Sequence, residues 1–64
     1  MHPDTVKKIR IALVEKGWNQ VVLSERLGIS PTYLSMIMSG QRDAENIRKR
    51  IAEILQIPFR LLLD

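Results

Sequence analysis

Ser30-Pro31-Thr32-Tyr33-Leu34-Ser35-Met36-Ile37-Met38-Ser39-Gly40 alternates apolar with small polar residues, and Gln41-Arg42 follows it. At 3.6 residues per turn, Leu34 and Ile37 share one helical face with Met38 flanking. Thr32, Ser35, Met36 and Ser39 then point elsewhere. Hydroxyls at those positions make single hydrogen bonds, while Pro31, Met36 and the Thr32 methyl offer apolar contact. This chemistry suits recognition better than bond making. The parts for catalysis are missing: there is no cysteine and one histidine, His2. No carboxylate pair marks a pocket, no glycine-rich loop cradles phosphate, and the serines lack a histidine partner. We therefore expect no enzyme, no metal, no cofactor and no small-molecule ligand. On a generic helical bundle the same hydroxyls would simply be solvated.

The elements that must hold this face read as helices throughout, with no strand. Asp4 is the expected N-cap of a first helix carrying Val6, Ile9, Ala12 and Leu13, and Gly17 ends it. Trp18 is expected to pack back on the core. Asn19 caps a second helix, with Leu23 and Leu27 one turn apart, Ser24 a small residue beside them and Val22 left exposed. Gly28 ends it. Ser30 is an N-cap and Pro31 a first helical residue, so a third helix runs from about 31 to 39 and stops at Gly40. It has only about two and a half turns, and a helix that short needs tertiary support. Either Asp43 or Asn46 caps a fourth helix, whose stripe is Ile47, Ile51, Ile54 and Leu55. Arg48, Lys49 and Arg50 lie mostly off that stripe. Pro58 opens a last short helical turn with Phe59, Leu61, Leu62 and Leu63.

A chain of 64 residues is one domain, spanning residues 1 to 64. Its formal net charge is +3 and 45% of its residues are hydrophobic, which fits a folded basic globule. No apolar run approaches the roughly 20 residues of a membrane span. Met1-His2-Pro3-Asp4 lacks the regions of a secretory signal, and a cysteine-free chain suits the cytoplasm.

Leu27-Gly28-Ile29-Ser30 joins two short helices through a tight turn, the helix-turn-helix arrangement. Here the sequence resembles the Cro/cI-type (lambda-repressor-like, xenobiotic-response-element) DNA-binding domains. The matching positions are Gln20, Leu23-Ser24, Leu27-Gly28-Ile29-Ser30, Tyr33-Leu34-Ser35, Ile37 and Gly40. "VKKIRIALVEKGW" is similar to the family's opening helix and "IAEILQIPFRLLL" to its closing ones. The likeness runs over about residues 5 to 63. It implies an all-α compact bundle of about five short helices, with the third in the major groove of double-stranded DNA.

The resemblance also implies roles. Pro31, Thr32, Ser35 and Met36 approach base edges. Gln20, Ser30, Tyr33, Ser39, Gln41 and Arg42 contact phosphate, with backbone N–H groups after the recognition helix assisting. The implied protein is a phage or bacterial transcriptional regulator, repressor- or Cro-like, acting as a homodimer on a two-fold operator. Two departures stand out. The base-facing positions lack Arg, Lys, Gln and Asn, so direct readout is modest and DNA shape carries more. Gln56 stands where the family usually has glycine. The alternative function is a protein-interaction adaptor on the same fold, motivated by an expected exposure of Met36, Met38, Phe59 and Leu61 to Leu63. That tail can complete the core, form a two-fold interface, or do both.

Overall fold

Helix ends set the architecture. The computed structural model describes residues 1–62, and its elements are α1 (Pro3–Lys16), α2 (Gln20–Leu27), α3 (Pro31–Ser39), α4 (Glu45–Leu55) and a 3₁₀ turn, Phe59–Leu62. The fold is all-α, with four α-helices and one 3₁₀ turn where five short helices were expected. Leu63 lies outside the described residues. Asn19 Oδ1 accepts the Val22 N–H at 2.9 Å, and Ser30 Oγ accepts the Tyr33 N–H at 3.0 Å. Both are the expected N-caps, each satisfying one amide that the helix leaves without a carbonyl.

Other ends differ from expectation. His2, not Asp4, caps α1: its Nδ1 accepts the Asp4 N–H at 3.1 Å, which lets Pro3 take the first helical position. Neither Asp43 nor Asn46 caps α4; its N-cap is Ala44, with no side-chain bond. Asp43 instead accepts from Arg48 Nη2 at 3.0 Å. At the C-terminal ends, Gly17, Gly28 and Gly40 adopt positive φ, and so does Gln56, at φ 57.

The core draws on every element. Ile9, Leu13, Leu23, Leu27, Leu34, Met38, Ile51, Ala52, Leu55 and Leu62 form one buried cluster. Ile37 is buried with 2% exposure. Fully burying one such side chain is worth roughly 1.5–3 kcal/mol. In α1 the buried row is Thr5, Ile9 and Leu13, while Val6 and Ala12 are only half-buried. In α2 the outward valine is Val21, 48% exposed, and Val22 is half-buried. Ser24 is fully buried, with its hydroxyl donating to the Val21 carbonyl at 2.7 Å. Trp18 packs on the core and has two cations near its ring, with Lys16 Nζ at 5.4 Å and Arg26 Cζ at 4.9 Å from the centroid.

The exposed apolar set proposed for an adaptor does not form. Met38 and Leu62 are buried, Met36 and Phe59 are half-buried, and Leu61 alone of these is exposed. Leu62 completes the core, because a 3₁₀ turn begun at Pro58 folds it beneath α4. Arg48, Lys49 and Arg50 are tied down as well. Lys49 reaches Glu45 at 3.9 Å, and Arg50 Nη1 donates to the Leu27 carbonyl at 2.6 Å.

Candidate nucleic-acid interface

Leu34, Ile37 and Met38 hold α3 from behind. That burial turns its other side outward. Pro31, Thr32, Ser35 and Met36 line one shallow concave surface, together with Ser39 and Gln41. All are exposed except Met36, which is half-buried. The surface therefore joins small hydroxyls and a thioether from α3 with one carboxamide from the chain just after it. No charged side chain lines it.

Beyond α3 the chain folds back on the end of that helix. The N–H groups of Gln41 and Arg42 both donate to the Met36 carbonyl, at 2.9 and 3.2 Å. They close the end of α3 after Gly40 turns the chain at φ 89. Backbone N–H groups at 41 and 42 are thus hydrogen-bonded to the end of α3. The Gln41 side chain lines the same surface as Pro31, Thr32, Ser35 and Met36. Ser39 Oγ also donates to the Met36 carbonyl, at 3.1 Å. Its lone pairs stay open, but its proton is engaged.

Ser30 Oγ spends an acceptor site on the cap and keeps its O–H to donate. Tyr33 is 36% exposed at the edge of α3. Arg42 is exposed. Gln20 is half-buried, and its Nε2 lies 3.0 Å from Met38 Sδ. This contact places the start of α2 beside the end of α3. The first-turn N–H groups of Gln20 and Val21 have no carbonyl within their own helix, so that end favours anions. A depression between the start of α1 and the end of α3 is lined by Lys7, Arg10, Met38 and Ser39, among others. Neither Lys7 nor Arg10 was among the site residues expected from sequence. Their i, i+3 spacing puts them on one face of α1, but only packing sets that face beside Ser39.

A family model described as Helix-turn-helix matches residues 6–62. The chain belongs to the Cro/C1-type helix-turn-helix family. This family is one of DNA-binding regulatory domains and not of enzymes. The comparisons with curated proteins and with solved structures each found no match. Within this helix-turn-helix domain, α2 and α3 are the paired helices and the Gly28 turn joins them. No helix among the described residues is long and apolar enough to cross a membrane. Among the same residues, no cluster of three or more His, Asp or Glu side chains could hold a metal ion.

Proposed function

We propose that this domain is a sequence-specific transcriptional regulator, Cro- or repressor-like, that lays α3 in the major groove. It acts in the cytoplasm as a homodimer on a two-fold operator of phage or bacterial type. The observation that carries the reading is the single concave surface on which Pro31, Thr32, Ser35 and Met36 converge. In this reading Pro31, Met36 and the Thr32 methyl meet thymine methyls, and the Thr32 and Ser35 hydroxyls make single bonds to base edges. Gln41 joins the base-facing set, since a carboxamide can meet adenine through two hydrogen bonds. Gln20, Ser30, Tyr33, Ser39 and Arg42 face the backbone, with Lys7 and Arg10 beside them. Phosphate contacts fix the register, and base contacts specify.

Fluorescence anisotropy against randomised duplex at several salt concentrations, followed by selection of bound sequences, tests this. The expected result is affinity that falls steeply with salt and a two-fold-related enriched site. Thr32→Ala with Ser35→Ala should keep the fold and lose discrimination at that site. Arg42→Ala should weaken binding to all sequences and lower the salt slope by about one unit. No binding at low salt would overturn the reading and favour a protein-binding adaptor.

A further inference from the structure

We propose that a second copy of this chain docks, α1 against α1, into a groove between α1 and the chain that follows α4. The inference names the dimer surface for the regulator proposed above and rests on that reading for its purpose. One wall of the groove is Ile11 and Ala12, and the other is Leu55, Ile57 and Leu61. Ile11 is 50% exposed and Leu61 is 40% exposed, large apolar side chains that the monomer leaves in water. The groove shares no lining residue with the α3 surface, so occupying it leaves the DNA-facing residues free.

Charge selects the occupant. Lys8 and Glu15 also line the groove, one on each side of Ile11 and Ala12 along α1. Both are exposed, and neither has an ion pair within the described chain. They are two turns apart on the same face, about 10.5 Å along the axis. A two-fold axis passing between Ile11 and Ala12 pairs two antiparallel α1 helices. Lys8 then meets the second copy's Glu15 at both ends, and Ile11 packs over the second copy's Ala12. A parallel pairing would set Lys8 against Lys8. The surface is therefore complementary to itself, the requirement of a closed two-fold interface. It is also the symmetry that a two-fold operator imposes.

Sedimentation equilibrium of the full chain at low salt tests this with Lys8→Glu, Glu15→Lys and the double variant. Each single change turns two attractions into two repulsions. We expect each to weaken association about tenfold, equal to about 1.4 kcal/mol, and the double variant to recover to within about threefold of the parent. Ile11→Glu, at a position already exposed in the monomer, should abolish association. A double variant as weak as the singles overturns the proposal, as does unchanged association in all four variants. A parent chain that stays monomeric at about millimolar concentration also overturns it. Anisotropy on a duplex carrying one half-site separates the two ideas. All variants should bind it as the parent does, and failure of the parent there would count against DNA binding and not against the α1 interface.

Discussion

The α2–α3 unit and α4 are built by different means. In the unit, every helix end is closed locally. Asn19 and Ser30 cap the starts, and Gly28 and Gly40 turn the chain out at the ends. α4 has neither device: Ala44 offers no side chain to its first amides, and Gln56 takes the left-handed conformation in place of a glycine. α4 is held from outside by its apolar row Ile51, Ala52 and Leu55, and by Arg50 reaching across to the Leu27 carbonyl. That contact serves both regions, since Leu27 O is one of the carbonyls α2 leaves unpaired and its end of the helix favours a cation. The helices that must present side chains at a fixed angle are specified by their own sequence, and the helix that only supports them is specified by packing.

The comparison can be broken most forcefully at Leu34, which is 0% exposed. Leu34→Ala should cost roughly 2–5 kcal/mol, enough to unfold a domain this small. Urea denaturation that shows a loss below about 1 kcal/mol would mean that α3 is not held by its inner face. Arg50→Ala should cost about 1.5 kcal/mol, because it strands a carbonyl that a charged donor now satisfies. The thermal midpoint checks this, and a change indistinguishable from zero would sever the tie between α4 and the turn. Ser30→Ala should cost about 1 kcal/mol by removing the cap, with Ser30→Asp retaining most of it. Gln56→Gly should be the smallest effect and of opposite sign. Relief of a left-handed side chain, roughly 1–2 kcal/mol, is offset by glycine's greater unfolded freedom, roughly 0.5–1 kcal/mol. A net gain of about 0.5 kcal/mol is expected. A loss would show that the Gln56 side chain, not its backbone, matters at that end.

Much of the fold was legible because it is written in local chemistry. Ser30-Pro31 and Gly40 bracket α3 on residue type alone, and Leu34 with Ile37 fixes its inner face by period. The misreadings came where one side chain competes with another. Asp4 is a good cap, but His2 stands before Pro3 and leaves Asp4 inside the helix. Asp43 could cap α4, but the Arg48 guanidinium holds its carboxylate. The outward position of Thr32 and Ser35 was readable once α3 was oriented. The position of Gln41 was not, since it depends on how the chain folds back after Gly40 to satisfy the Met36 carbonyl.

The sequence by itself determined that the chain is all-α, where α2 and α3 begin and end, and which of their faces are apolar. These follow from helical periodicity and from caps that act over three or four residues. Tertiary structure alone decided that Met38 and Leu62 are core, that Arg50 closes the end of α2, and that Lys7 and Arg10 lie beside the recognition helix. It also decided that Lys8, Ile11, Ala12 and Glu15 line a groove with the residues after α4. Each of those depends on segments far apart in the chain arriving at one place, and packing of the whole core sets that arrival.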